Sequence, residues 1–207
     1  MRHLIFGNKY ILNNSLFINN VAQTVTMNGT VTRTTDHKGG NTAIQFGSGN
    51  LVSMNNLPAS PVWSISFWVK NIENITQYQT ILNTQSSSAG IINIPINKNA
   101  ANRLSAISSN TAGGAYSERG VAMPPINTWN HVVLILNRAE SGVNENKFYI
   151  NKVLTKPITV AGTEQTGNFV SAKLEIAPAN VFKGATSPIK MFNYALTQTE
   201  IDNLYNE

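Results

Sequence analysis

The stretch "HVVLILNRAESGVNENKFYINKVL" (131–154) decides the fold. Both of its ends are rich in β-branched and aromatic residues at the period of two that a pleated strand imposes. Between them "RAESGVNENK" (138–147) is polar and carries Gly142, which predicts a loop joining two strands. The same signature recurs in "TVTMNGTVTRT" (24–34), "TAIQFG" (42–47), "WSISFWVK" (63–70) and "AKLEIA" (172–177). Short strands at close spacing, with almost no helical period between them, predict an all-β antiparallel β-sandwich or jelly roll rather than alternating β-α units.

Turn chemistry supports this reading. Asn28-Gly29 between two alternating runs predicts a hairpin, and the doublets Asn13-Asn14, Asn19-Asn20 and Asn55-Asn56 punctuate apolar runs as turn residues do. "FGSGNL" (46–51) lacks the helix that a phosphate loop requires, so its glycines predict a hairpin turn. "SSNTAGGAYSERG" (108–120) predicts a loop. One helix is expected, at the very end of the chain: Thr197 and Glu200 form a capping box, and Leu196, Ile201, Leu204 and Tyr205 would share one apolar side.

Composition narrows the classes. The chain has 207 residues, enough for one β domain, and only 12% of them are charged, so its polar surface is built from Asn, Thr and Ser. A formal charge of +5 is spread over single Lys and Arg residues without interleaved aromatics, which argues against a nucleic-acid partner. No cysteine means no disulfide framework and no thiolate chemistry. The start, "MRHLIFGNKYILNNS", lacks the unbroken apolar core of a secretory signal peptide, and no run is long enough to span a membrane.

The ordered set "WSISFWVKN", "TILNT", "NTWNHVVLILNR", "NKFYINKVL", "LEIA" and "FKGATSPIKMFNYALTQTEIDNLY" resembles the laminin-G-like, concanavalin A-like jelly-roll family. The resemblance covers residues 24–207. It leaves residues 1–20 as an N-terminal arm or first strands ahead of a jelly-roll domain over 21–207. It implies a concanavalin A-like sandwich whose closing strand returns to the sheet and whose short C-terminal helix packs on it. Lys152 and Ala177 stand where the family usually has glycine, so altered turns are expected there.

Relatives that cleave polysaccharides carry two closely spaced carboxylates on one strand, and no strand here does. Glu140 and Glu145 come nearest, in a polar loop, so no catalytic residue is expected. His3, His37 and His131 show no metal-ligand spacing. No cofactor is expected, leaving at most a weak calcium site of Asn and carbonyl oxygens. In "SISFW", Trp63, Ile65 and Phe67 share one face and Trp68 the other with Ser64 and Ser66; packing suits Trp68 better than a sugar platform. Likewise Trp129 and His131 are expected to share a face.

Two functions fit these features. The first is a non-enzymatic structural or decoration protein of a phage virion or similar surface assembly, partnered by other assembly proteins or by itself. Leu4, Ile5, Phe6, Tyr10, Ile11 and Leu12 would form an apolar assembly arm for a neighbour's sheet edge, unless residues 1–20 are the sandwich's own first strands. The second is a lectin-like adhesion module for host or cell-surface glycans, with Tyr78, Tyr116 and Arg119 as ligand-binding residues on exposed loops. Either places the protein on a virion surface or outside the cell.

Overall fold

Strands follow the alternating runs, and the chain lays them into two facing sheets. The structure, a computed structural model, describes residues 9–12, 16–47, 49–71, 78–85, 91–97, 103–109, 116–139, 146–163, 165–170, 172–178 and 182–207. In chain order the elements are β1 (Lys9–Leu12), β2 (Leu16–Ile18), β3 (Val21–Ala22), β4 (Val25–Asn28), β5 (Val31–Thr34), β6 (Ala43–Phe46) and β7 (Asn50–Leu57). There follow β8 (Val62–Asn71), β9 (Gln79–Gln85), β10 (Ile91–Asn97), β11 (Arg103–Ser109), β12 (Tyr116–Ala122), β13 (Asn130–Asn137) and β14 (Asn146–Ile150). The chain closes with β15 (Val153–Thr155), β16 (Ile158–Gly162), β17 (Ala172–Ile176), β18 (Gly184–Thr186), β19 (Ile189–Phe192) and α1 (Gln198–Asn206).

The first sheet has nine strands in the order β1-β4-β7-β17-β9-β10-β11-β12-β16. The second runs β15-β14-β13-β8-β18-β6-β5, with β19 also on β8 and the short β2 and β3 attached through β19. Every pair is antiparallel except β2 with β19, which run parallel. Trp63, Ile65, Phe67 and Val69 of β8 and Val132, Leu134 and Leu136 of β13 meet Ile92, Ile94 and Ile96 of β10 in one core. The expected split of "SISFW" is therefore observed: Trp63 is fully buried there, and Trp68 stands on the other side of its sheet.

All eight residues of β13 are buried, because a second layer covers the outer face of its sheet. That layer is α1. The Thr197 hydroxyl accepts from the Glu200 amide and the Glu200 carboxylate accepts from the Thr197 amide, closing the expected capping box, a device worth about 1 kcal/mol. Its apolar side seats Leu196, Ile201 and Leu204 on Val133, Ile135 and Phe192.

Several turns differ from expectation. Asn28-Gly29 does not make a hairpin: β4 belongs to the first sheet and β5 to the second. The glycines of "FGSGNL" likewise pass the chain between sheets, from β6 to β7. The two crossings lie against each other, and a Cβ on Gly49 would fall 2.5 Å from the Asn28 carbonyl oxygen. A dipeptide reports the turn's backbone and not the layer that receives the next strand. Asn55 and Asn56 lie inside β7 rather than in a turn, whereas Asn19 and Asn20 take φ of 47° and 62° between β2 and β3. Lys152 and Ala177 keep the left-handed conformation of the glycines they replace, with φ of 73° and 54°.

The N-terminal segment pairs within its own chain. Tyr10, Ile11 and Leu12 lie in β1, hydrogen-bonded to β4, and β2 lies beside β19, so residues 9–12 and 16–18 are strands of the chain's own sheets. Leu4, Ile5 and Phe6 lie outside the described residues, as do Glu140 and Glu145.

Candidate functional site

The outer face of the first sheet carries a polar row. Glu175 on β17, Asn83 on β9, Asn93 on β10, Ile107 on β11 and Glu118 on β12 are successive cross-strand partners. Directly opposed residues share a face. Their chain neighbours Leu174, Ile176, Leu82, Ile92, Ile94 and Ala106 are in the core, so the row points outward.

Two tyrosines flank its β12 end. Tyr78, 38% exposed just ahead of β9, accepts a hydrogen bond at 3.4 Å from Asn93 Nδ2. Burial raises the Tyr78 pKa and the Glu118 carboxylate pushes it the same way, so its hydroxyl remains a donor at neutral pH. Tyr116, 40% exposed, precedes Glu118 by two residues and shares its face. Arg119 differs from expectation. Residues 116–120 belong to β12 and not to a loop, and alternation turns Arg119 inward opposite Ala106, where it is 6% exposed and donates to the Glu118 carbonyl.

Hydrogen-bonding capacity is left over on this face. Glu118 Oε1, Asn93 Oδ1 and Ser105 Oγ have no hydrogen-bond partner among the described residues. Ser105 sits opposite Gly120, two residues along from the Ile107–Glu118 pair and on the same face. A side chain at position 120 would press on the Ser105 hydroxyl at 3.0 Å and on Val160 at 3.2 Å, so this buried position requires a glycine. Carboxylate and amide oxygens only accept, and they suit a ligand that presents several hydroxyl donors. The two acids of the row are four strands apart, about 19 Å at the usual interstrand spacing. Glycoside hydrolysis places its paired carboxyls at about 5 to 9.5 Å.

The opposite face of the molecule holds a second aromatic group. Trp68 is directly opposed to His131, stacks on His37 at 3.9 Å between ring centroids, and meets Tyr205 of α1 at 5.0 Å. Its rings are packed, as expected for Trp68, and the ring partners of His131 are Trp68 and Tyr205 rather than Trp129. Asp36 is used internally: the Lys38 and Gly40 amides and the Thr42 hydroxyl all donate to it, and the Thr42 bond above all holds its pKa low. Among the described residues no three acidic or histidine side chains gather to hold a metal ion. None of the described helices is long and apolar enough to cross a membrane.

The sequence profile of the concanavalin A-like lectin/glucanases superfamily matches residues 23–202. The chain belongs to that superfamily. No curated protein sequence matches it. Similar solved structures include the receptor binding domain of botulinum neurotoxin C/D mosaic serotype, at 17% identity and a TM-score of 0.68 over 95% of this chain and 50% of that one. The binding domain of botulinum neurotoxin DC in complex with SialylT gives 17% identity and a TM-score of 0.63 over 96% and 51%. A structure described by the dependence of botulinum neurotoxin type C cell entry on interaction with two ganglioside molecules gives 18% and 0.60 over 95% and 50%. The chain thus spans about half the length of these structures, and at such identity the likeness is one of fold. The leftover acceptors lie within the outer layer of the first sheet, where Glu118 is 7% exposed and Asn93 half-buried.

Glu118, Asn83 and Asn93 escaped sequence reasoning, because only strand register brings residues 83, 93 and 118 into one row. The one available signal was the alternation of "YSERGVA", which the neighbouring Ala-Gly-Gly hid.

Proposed function

We propose that this chain is a non-catalytic carbohydrate-binding module that lays a hydroxyl-rich glycan across the outer face of the first sheet. The observation that carries the proposal is the row Asn83-Asn93-Ile107-Glu118 with Tyr78 and Tyr116 beside it and two acceptor oxygens unpartnered. Tyrosine faces take the apolar side of a sugar ring, and the amides and the carboxylate take its hydroxyls. Family membership supports it, as do neighbours seen with SialylT or dependent on gangliosides. The wide separation of Glu118 and Glu175 favours binding over cleavage.

The test is a glycan array followed by titration of the best binder. Tyr78→Ala and Glu118→Gln are each expected to weaken binding at least 10-fold, a loss of roughly 1.4 kcal/mol or more, while both variants unfold at the temperature of the parent to within a few degrees. Absence of binding to every immobilised glycan, or binding indifferent to both substitutions, would sink the proposal.

A second reading, a component of a virion or other surface assembly, draws on a different observation. Val153, Leu154 and Ile158 are 66, 57 and 46% exposed on β15 and β16, the strands that edge the second and first sheets. Unpaired apolar edges invite strand addition. If this edge seats a second copy, light scattering gives a defined oligomer that Leu154→Lys converts to monomer; a monomer at every concentration removes self-assembly through the edge.

A further inference from the structure

The space beneath α1 on the second sheet is unassigned by the glycan face, and its chemistry is opposite. Sequence-distant segments build it. β8 supplies Ser66 and Trp68, β13 supplies His131, the turn after β5 supplies His37, β19 supplies Lys190, and α1 supplies Leu204 with Glu207 just beyond it. Together they enclose a cleft of about 180 Å³, room for a few heavy atoms rather than an oligosaccharide.

The buried side-chain atoms of this cleft that lack a partner are nitrogens. His131 is 1% exposed and its Nε2 lies 3.0 Å from the Ser66 hydroxyl, but its Nδ1 has no partner. Trp68 Nε1 and both ring nitrogens of His37 are also buried without a partner. The indole N–H can only donate, and the Lys190 ammonium can only donate. Apolar walls come from Trp68, Pro188 and Leu204. The cleft therefore suits a small molecule with an acceptor-only head and a short apolar tail.

One carboxylate already sits at the rim. Glu207 pairs with Lys190, and both line the cleft. We propose that the cleft is a binding site for small carboxylates, which displace the Glu207 side chain from Lys190 and accept from the Trp68 indole and the histidine rings. Glu207 thus acts as a weak internal competitor, being more than half exposed at 54%.

Acetate is the probe. Nitrogen-15-labelled full chain is titrated with sodium acetate against sodium chloride at equal ionic strength and pH 7.5, following the indole N–H of Trp68, which is assigned from its loss in Trp68→Phe. A saturable shift with acetate alone is expected, with a Kd on the order of millimolar for so small a ligand. Lys190→Met should weaken binding at least 10-fold and Glu207→Gln should tighten it about 3-fold; both positions are at the rim, so the fold is retained. Equal responses to acetate and chloride, or a Lys190→Met variant that binds acetate as well as the parent, overturn the proposal.

Discussion

Lowering the pH from 7.5 to 5 is expected to remove about 2 kcal/mol of folding stability through His131 alone. Burial pushes its pKa down to about 4, with His37 and Lys190 adding in the same direction, against 6.5 for an unrestrained imidazole. The sign follows from proton counting. Between 6.5 and 4 the unfolded chain binds a proton that the folded chain refuses, so the stability present above pH 6.5 declines as pH falls and levels off below 4. The charged groups around the ring do little to rescue its protonated form. His37 is itself held low by burial, Lys190 is cationic, and Glu207 at the rim is already paired with Lys190. Urea unfolding at pH 7.5 and 5 measures the difference, and His131→Gln is expected to remove most of it. An unchanged pH dependence in that variant would assign the acid sensitivity elsewhere.

Ile201→Ala is expected to cost about 3 kcal/mol, within the range for emptying a buried aliphatic site. Ile201 is fully buried in the seam of Leu196, Leu204, Val133, Ile135 and Phe192, with Tyr149 packed alongside. Its loss leaves a void between α1 and β13 that neither a capped helix nor a sheet hydrogen-bonded on both sides can close. The neighbouring Asn203→Ala, on the exposed side of α1, is expected to change stability by less than about 0.5 kcal/mol. Equal effects of the two substitutions in urea unfolding would mean that α1 is not docked as described.

Local rules were legible, and non-local ones were not. Thr197 and Glu200 are three residues apart and their capping box is a property of one turn, so the sequence predicts it with its partners. Trp63 and Trp68 part to opposite faces because a strand has a period of two whatever lies around it. What lies over Trp68 is another matter: His37 and Tyr205 arrive from positions far away in the chain. The same holds for Asn28-Gly29, whose left-handed glycine was predictable while the layer it feeds was not. On the outer face of the first sheet, Tyr78 and Tyr116 are legible in the sequence as exposed aromatics, expected on loops. Glu118 is not, since its value depends on lying opposite Ile107 and near Tyr78. Arg119 turns inward because residues 116–120 continue as a strand, whose alternation a Gly-rich loop signal does not carry.

The two surfaces differ in hydrogen-bond polarity. Oxygens are left over on the first sheet and nitrogens in the cleft on the second, so one ligand does not compete for both places.

The parallel pairing of β2 with β19 ties Leu16 to Ile189, near opposite ends of the described chain. A ribosome releases the first of these long before the second. At roughly 5 to 20 residues per second, on the order of 10 to 35 seconds of synthesis separate them. Through that interval Leu16 and Ile18, both buried in the finished sandwich, have no β19 to lie against. Until β19 is made, the growing chain must therefore carry β2 as an apolar strand without its parallel partner.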